Sequence, residues 1–401
     1  MHFLHSVFGI ITLIALAFAL SSHRSQINWL LVSKTLILLI TITAFVLYIP
    51  VGQHVLDSVS NGVSYFLSFA NEGSKFVFGD LGDNGFIFAL HVLPTIIFMS
   101  AVIAFLYHIG VMKFLISTIG GGLHRFLGTS KIESIAASGN IFLSQSESPL
   151  LIKPYLNTMS RSELFTVMTC GMASVAGSVL GGYAALGIEL KYLLAASFMA
   201  APAGLLMAKI IVPETSDHSS SSDAEVVASE HANALDALAD GAMNGVKVAV
   251  AVGTMLLAFV AIIAFVNTSL SEIALYFGFE GITLQTLLGY VFYPLGFVIG
   301  VPEKEIFAVA SYIGQKITLN EFVAFIDFTQ NKDMLSERSQ ILVTFALCGF
   351  ANLGSIAIQI GAIGALSPER RPEISKLGFK ALLAATLANL LSATLAGAFL
   401  A

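Results

Sequence analysis

The sequence predicts an all-α integral membrane protein with about eight transmembrane helices, two re-entrant helical hairpins in an inverted repeat, and interfacial helices. Of its 401 residues, 56% are hydrophobic and only 11% are charged, with a mean hydropathy of +0.85. Soluble domains carry about a quarter charged residues. Many apolar runs approach the roughly 20 residues that cross a bilayer as a helix. A net charge of −6 provides no basic face for nucleic acid, so none is expected as a partner.

The apolar runs define the predicted spans. The first run lacks a basic leading segment and is followed by Ser21–Gln26 rather than a clean cleavage site, so it is predicted to be a retained helix and not a signal peptide. The eight spans are predicted at about 3–20, 28–50, 84–108, 163–187, 190–213, 245–267, 340–366 and 377–400.

Between the spans lie apolar segments that are broken by polar residues. Residues 130–156 and 301–326 each read as two short helical stretches around a polar tip, which predicts two re-entrant hairpins. Segment 51–83 mixes glycines and polar residues with apolar ones and is predicted to lie along the interface. Segment 213–245 is predicted to be a polar acidic loop that is flexible at its serine run, with an acidic helix as the alternative for the part beyond it.

These elements divide the chain into predicted units. They are N-terminal scaffold helices (1–110), a first repeat with the interrupted helix 163–187 (111–212), the polar loop, further scaffold helices (246–300), a second repeat with the interrupted helix 340–366 (301–366), and a C-terminal helix (367–401).

The distribution of Lys and Arg predicts the orientation, because cytoplasmic loops are enriched in both. With eight spans, nine basic residues near the span ends fall on one side, which predicts a multi-pass protein of the cell inner (plasma) membrane with both termini extracytoplasmic. Four residues fit this assignment less cleanly: Lys304, Lys316, Lys332 and Arg338. The basic residues on the predicted cytoplasmic side are Arg24, Lys113, Arg125, Lys131, Lys153, Arg161, Arg370, Arg371 and Lys376.

The only two cysteines occur in one short pattern that appears twice, as "CGMAS" from Cys170 and "CGFAN" from Cys348. Each copy follows a broken hairpin and a basic-serine pair, at Arg161 and Arg338. Chance explains a five-residue similarity between apolar helices, but it explains this whole ordered set poorly. Repeats with discontinuous helices are typical of secondary transporters. We therefore interpret the two patterns as the same wall of one cavity, built twice.

Glu147 and Glu321 are the strongest candidate site residues, since each lies at the centre of a hairpin. A charge at the bilayer centre costs about 2.5–3.5 kcal/mol even on lenient scales, so such a residue is normally buried in protein or faces a cavity. The alternative is that either one lies near a hairpin end and contacts water.

Oxygen atoms are dense around the first hairpin tip, "NIFLSQSES" (140–148). Asn140, Ser146 and the carbonyl of Leu143 are hard ligands, which suit an alkali cation, and Ser174 with the Val175 carbonyl could complete the shell. Capping of two half-helices would use the same atoms, so both interpretations stay open.

Asn352 and Ser355 share a helix face, and Phe350 precedes them. An amide, a hydroxyl and an aromatic ring beside two carboxylates indicate a site for a small polar ligand with a flat ring. Helix–helix hydrogen bonding and plain packing are the competing interpretations.

No motif of an enzyme is present: the chain lacks G-x-S-x-G, H-E-x-x-H and a P-loop, and its nine histidines, including His91, have no metal-ligand spacing. We expect neither catalytic residues nor an organic cofactor.

Three motifs in order resemble the concentrative nucleoside transporter family. They are "SQSESP" (144–149), "TLNEF" (318–322) and "GFANLGSI" (349–356), and the resemblance covers nearly the whole chain. One departure is Ser144, where many members have glycine, which could change the flexibility of the tip.

The resemblance implies a homotrimer that imports nucleosides such as uridine with a sodium gradient, or with a proton gradient in some members. It implies that Gln145, Ser146 and Glu147 contact the nucleobase side, and that Phe350 and Val179 pack on the nucleoside. It also implies that Glu321, Asn352 and Ser355 hold the ribose hydroxyls. Sodium, the co-transported ion, would be bound by Asn140, Leu143, Ser146, Ser174 and Val175.

The mechanism that follows is elevator-type: sodium orders the first hairpin tip, the nucleoside bridges the tips and the interrupted helices, and the domain that carries both hairpins moves across a fixed scaffold. Two alternatives remain, a proton-coupled carrier in which a glutamate titrates, and a ligand-binding receptor or channel that uses the same cavity.

Overall fold

The structure is a computed structural model that describes residues 2–215, 225–227 and 231–400. Within these residues the protein is built from helices, with no strand. The sixteen α-helices are α1 His2–Ala19, α2 Trp29–Leu47, α3 Pro50–Phe78, α4 Phe88–His108, α5 Val111–Leu127, α6 Lys131–Gly139, α7 Arg161–Ala173, α8 Gly177–Ala185, α9 Leu190–Ile211, α10 Ala234–Tyr276, α11 Leu284–Val298, α12 Ile306–Thr318, α13 Glu321–Asn331, α14 Glu337–Leu347, α15 Leu353–Leu366 and α16 Arg371–Phe399.

Six helical segments among the described residues are long and apolar enough to cross a membrane: Trp29–Leu47, Phe88–His108, Arg161–Ala185, Leu190–Ile211, Ala234–Tyr276 and Pro368–Phe399. Three shorter apolar helices are Phe3–Ala19, Leu284–Val298 and Leu353–Leu366. Each of the eight predicted spans corresponds to one of these helices, and the span at 340–366 comprises α14 and α15. The apolar helix α11, Leu284–Val298, was not among the eight predicted spans. The all-α membrane fold is confirmed.

Both predicted hairpins consist of helical arms that are too short to cross a bilayer. In the first, α6 has 9 residues and is followed, after a turn, by a 3-10 segment, Ser148–Tyr155. In the second, α12 has 13 residues and α13 has 11. At about 1.5 Å per residue, none of these arms covers the ~30 Å of a hydrocarbon core.

The predicted polar loop at 213–245 ends earlier than expected, because α10 already begins at Ala234. Asn233 caps this 43-residue helix by accepting hydrogen bonds from the backbone N–H groups of Leu235 and Asp236. The serine run of the predicted loop lies outside the described residues. Gly241 and Gly245, four residues apart, let α10 approach α4 closely: an added Cβ would lie 2.6 Å and 2.7 Å from its nearest α4 atom, respectively.

Burial separates a central group of helices from a peripheral one. In the most apolar stretch of Arg161–Ala185, 94% of the residues are buried, and α9 is similar at 89%. The corresponding share is only 17% for α4 and α10, so these two helices present a broad apolar surface to the surroundings. The cavity described below lies between the two groups.

The two repeats approach α16 from opposite ends. Arg370, just before α16, donates a hydrogen bond to the carbonyl of Met159 (2.7 Å), just before α7. Arg338, at the start of α14, donates to the carbonyl of Gly397 (2.7 Å), near the far end of α16. Helices α7 and α14 therefore start at opposite ends of α16.

Both of these helices stop at the middle of α16, beside Asn389. Its Nδ2 atom donates to the carbonyl of Ala173, the last residue of α7, at 2.6 Å. The same atom donates to the carbonyl of Cys348, which caps α14, at 3.3 Å. Two helices that run towards each other and end at one residue have the inverted topology that the sequence predicts.

Candidate functional site

A cavity of about 330 Å³ lies where the two hairpin tips meet the interrupted helices. This volume falls in the range of small-molecule sites. One wall belongs to α10, with Lys247, Val252 and Met255. All eight residues predicted to bind the substrate line the cavity: Gln145, Ser146, Glu147, Val179, Glu321, Phe350, Asn352 and Ser355.

The first hairpin tip reaches across to the second repeat. The buried Gln145 donates from Nε2 to the Ser355 hydroxyl on α15 at 2.8 Å, while its Oε1 is buried without a hydrogen-bond partner among the described residues. Glu147 is exposed, and its Oε2 accepts from the backbone N–H of Ser144 at 2.9 Å. The Ser144 and Ser146 hydroxyls lie 2.9 Å apart. The tip therefore presents one free amide oxygen and one accessible carboxylate.

The second tip holds a carboxylate that is almost fully buried. Glu321 is 4% exposed, its Oε1 accepts from the Tyr183 hydroxyl at 3.0 Å, and its Oε2 accepts from Asn352 Nδ2 at 3.0 Å. Two neutral donors hold this carboxylate in one orientation and leave further lone pairs on each oxygen for a ligand hydroxyl.

Helix capping and ligand binding use the same side chains here, as both interpretations of the sequence allowed. Asn352 caps α15, accepting from Ser355 N at 2.9 Å, and Asn320 caps α13, accepting from Val323 N at 2.9 Å. The N-terminal ends of these helices, which carry partial positive charge, therefore lie at the cavity.

The residues predicted to bind sodium come from two adjacent chain breaks. The backbone N–H of Gly177 donates to the carbonyl of Phe142 at 2.9 Å, which ties the turn after α6 to the break between α7 and α8. Asn140 is 1% exposed, and its Oδ1 has no hydrogen-bond partner within the described part of the chain. Ser174 is buried, and its hydroxyl donates to the Cys170 carbonyl at 3.0 Å, which leaves the hydroxyl lone pairs available.

The other three members of that set differ in exposure. Leu143 and Val175 are buried, and because their side chains are hydrocarbons, only their backbone carbonyls could serve as ligands. Ser146 is exposed at the tip. The set supplies an amide oxygen, hydroxyls and carbonyls without a carboxylate, which is a hard and neutral donor set that suits an alkali cation.

The cysteine motifs do not form matching cavity walls, and in this respect our interpretation was wrong. Both thiols face α9: Cys170 Sγ lies 3.9 Å from the Ala201 carbonyl, and Cys348 Sγ lies 3.8 Å from the Leu193 carbonyl. The second motif lines the cavity with its own Phe350 and Asn352, whereas the first contributes only residues beyond its end: Ala176, Ser178 and Val179.

Close contacts with other helices explain why each cysteine motif contains a glycine. A Cβ on Gly349 would lie 2.4 Å from Asn389 Oδ1 and 2.6 Å from the Ala173 carbonyl oxygen. A Cβ on Gly171 would lie 2.9 Å from Gln359 Nε2. Each glycine therefore marks a place where a polar side chain from another helix reaches the break.

Several residues of the site were not identified from the sequence. Tyr183, fully buried on α8, contacts Glu321 across 138 residues of chain, and no local pattern distinguishes it from a packing tyrosine. The α10 wall, including Lys247, lies on a helix that the sequence assigned only to the scaffold. Asn320 is adjacent to Glu321 in the "TLNEF" motif, so its position could have identified it.

This architecture defines an integral membrane transporter with a central cavity between discontinuous helices. Family models described as Na+ dependent nucleoside transporter N-terminus, nucleoside recognition, and Na+ dependent nucleoside transporter C-terminus match residues 8–81, 89–189 and 192–397. The chain belongs to the concentrative nucleoside transporter family. Its members transport nucleosides and are not enzymes.

Curated relatives and solved structures agree with this assignment. A nucleoside permease of Helicobacter pylori is 43% identical over 99% of this chain and 98% of its own length. The sodium/nucleoside cotransporter 1 of Rattus norvegicus is 38% identical over 97% of this chain and 62% of its own length.

Among solved structures, CNTnw in an inward-facing substrate-bound state is 46% identical, with a TM-score of 0.95 over 100% of this chain and 98% of CNTnw. A variant of CNTnw in an outward-facing state has a TM-score of 0.94 with the same identity and coverage.

The packing at Gly349 gives a testable prediction. Gly349→Ala should lower the melting temperature of the purified protein, because the added Cβ must displace Asn389 or the end of α7, and overpacking of this kind costs about 1–3 kcal/mol. The matched control is Gly361→Ala on α15, where an added Cβ meets nothing within 4 Å. Equal melting temperatures for the two variants would contradict the prediction.

Proposed function

We propose that this nucleoside transporter is a sodium symporter that imports nucleosides such as uridine. The observation that carries the proposal is the Oδ1 atom of Asn140, which is buried without a hydrogen-bond partner among the described residues. Asn140 lies at the start of the hairpin tip, two residues before Phe142, whose carbonyl accepts from Gly177 N at the α7–α8 break. A buried polar atom without a partner is costly unless a ligand satisfies it.

In this proposal sodium is bound by oxygen atoms of Asn140, Leu143, Ser146, Ser174 and Val175. The family description, Na+ dependent nucleoside transporter, supports the identity of the ion. Because Ser146 is the only exposed member of the set, bound sodium would draw the tip towards the α7–α8 break and order it. The neighbouring Gln145 would then be held against Ser355.

The nucleoside would be bound between the two tips. The Glu321 carboxylate, held by Tyr183 and Asn352, accepts from ribose hydroxyls, and Asn352 and Ser355 complete that subsite. The nucleobase lies towards Gln145, Ser146 and Glu147, where the free amide oxygen of Gln145 accepts from a base N–H group. Phe350 and Val179 provide apolar contacts with the nucleoside.

We further propose an elevator-type movement in a homotrimer of the inner (plasma) membrane, with both termini outside. The little-buried α4 and α10 support their assignment to a fixed scaffold, since their exposed apolar surface requires a partner subunit or lipid. Hairpins and interrupted helices form the moving unit in this scheme. The outward-facing and inward-facing structures of CNTnw support two end states.

Uptake measurements test the proposal directly. Proteoliposomes that contain the purified protein should accumulate radiolabelled uridine with an inward sodium gradient and not when choline replaces sodium at fixed pH. If uptake occurs in both media and increases as the external pH falls, the coupled ion is a proton rather than sodium, with Glu147 or Glu321 as the titrating group. Saturable counterflow without a gradient would separate a carrier from a channel or receptor, and its absence would contradict a carrier.

The ion site gives a second prediction. Asn140→Ala removes the unpartnered oxygen, so the sodium concentration for half-maximal uptake should rise about tenfold or more, the equivalent of one lost hydrogen bond or ligand contact of about 1.4 kcal/mol. The control is Asn267→Ala, which removes a part-buried amide from α10, far from Asn140 in the sequence. This variant should leave the sodium concentration for half-maximal uptake unchanged. A lower maximal rate with unchanged sodium dependence would contradict the assignment of Asn140.

A third prediction concerns ribose recognition. Glu321→Gln should weaken uridine binding by about tenfold or more, because a hydrogen bond to a charged group contributes about 1.5–3 kcal/mol. The Kd of the same variant for 3′-deoxyuridine should lie within about threefold of that of the unmodified protein, because the analogue lacks the hydroxyl that donates to Glu321.

Glu303→Gln, an exposed carboxylate at the start of the same hairpin, is the matched control for this measurement. An equal loss of affinity for uridine and 3′-deoxyuridine would count against the ribose assignment of Glu321.

A further inference from the structure

Asn389 connects the two proposed binding sites through the backbone. The side chain is 2% exposed in the middle of α16. The amide nitrogen of Asn389 donates to the Ala173 carbonyl at 2.6 Å and to the Cys348 carbonyl at 3.3 Å. One amide therefore satisfies the ends of α7 and α14 together, and neither end can move far without the other.

The buried Lys316 of α12 completes this arrangement. Its Nζ donates to Asn389 Oδ1 at 2.6 Å and to the Ala346 carbonyl at 2.8 Å. Lys316 forms no ion pair among the described residues, in contrast to Lys209, the other buried lysine, which pairs with Glu133. Below we call Lys316 and Asn389 the polar node.

Electrostatics account for an ammonium at this point. A helix carries roughly half a negative charge at its C-terminal end, and α7 and α14 both end here. Two such ends, brought together in an apolar interior, would repel each other and leave their last carbonyls without donors. The Lys316 amine donates to the Ala346 carbonyl and to Asn389, whose amide donates to the last carbonyls of both helices, so the two ends are satisfied together.

The two carbonyls that Asn389 binds belong to residues within four positions of the proposed sites. Ala173 directly precedes Ser174, and Cys348 lies four residues before Asn352. The backbone N–H of Phe350 also donates to the Ser174 carbonyl at 3.1 Å. A displacement of the Ser174 peptide therefore reaches Phe350 through two routes, the direct hydrogen bond and the shared amide of Asn389.

We propose that Asn389 is a positioning residue that couples sodium binding at the first break to nucleoside binding at the second, by holding the ends of α7 and α14 in one register. Lys316 fixes the orientation of the Asn389 amide. The proposal rests on the proposed sodium symport. It differs from a purely structural role in one measurable respect: the loss of the shared amide should change the coupling between the two ligands more than the intrinsic affinity for either.

The test is a binding measurement on the purified full-length protein. The Kd of uridine is measured in sodium and in choline, and the ratio of the two is the coupling factor, which for linked sites is typically about 5–150. Asn389→Asp keeps the size of the side chain and an acceptor for Lys316 but replaces the donating amide. We expect a coupling factor near 1, with the Kd in choline within about threefold of the unmodified protein.

Ser392→Ala is the matched control, because Ser392 lies on the same helix, is equally buried, and donates only to the Ala388 carbonyl of its own helix. It should retain the full coupling factor. If Asn389→Asp does not fold, the double variant Lys316→Met with Asn389→Leu removes charge and amide together, which avoids an orphaned buried charge, and the same result is expected.

The outcomes separate the two proposals. An unmodified protein without sodium dependence overturns the sodium symport and this inference with it. A sodium-dependent protein whose Asn389→Asp variant keeps its coupling factor overturns only the inference. The same holds if the variant loses affinity equally in sodium and choline, since that is the signature of a structural role.

Discussion

The structure depends on one constraint: a helix that breaks inside an apolar interior leaves carbonyl and N–H groups without partners, and water is not there to satisfy them. The described residues include two such breaks, after Ala173 and after Leu347. Each is satisfied from outside its own helix, chiefly by Asn389 and by the hydrogen bond from Phe350 N to the Ser174 carbonyl. The breaks can be adjacent only because the two repeats enter from opposite ends of α16. The inverted topology therefore places both broken helix ends where one buried amide, that of Asn389, can satisfy them.

The helix segments beyond the breaks create the site. α15 begins at the cavity with Asn352 as its cap, and α13 begins there with Asn320. Because the caps are amides, each uses its oxygen on the helix end and keeps its nitrogen for other partners, as Asn352 does with Glu321. The carboxylate thus has a fixed orientation before any ligand arrives. Preorganised polar groups of this kind lower the cost of binding, which favours specificity for a ligand with matching hydroxyls.

Most of the fold and the cavity lining could be predicted from the sequence, because polar residues inside long apolar runs are rare and each requires a reason. Gln145, Glu147, Glu321 and Asn352 stand out in this way, and all of them line the cavity. Residues that act over a long sequence separation could not be found: Tyr183 meets Glu321 across 138 residues, and Lys316 meets Asn389 across 73. The start of α10 was left open between a loop and a helix, because its alanines, aspartates and glycines are compatible with both until α4 is known to pack against them.

The two repeats satisfy their buried polar and charged groups differently. The second repeat contains its own cation, Lys316, whose ammonium donates to the Ala346 carbonyl and to Asn389. In the first repeat, Lys209 is paired with Glu133, and the Asn140 side-chain oxygen has no donor within the described part of the chain. Lys316 is part of the chain, so its amine occupies this position whatever the external ion concentration. If sodium is the coupled ion, as proposed above, it would complete the first break, where the described residues leave the Asn140 oxygen without a donor.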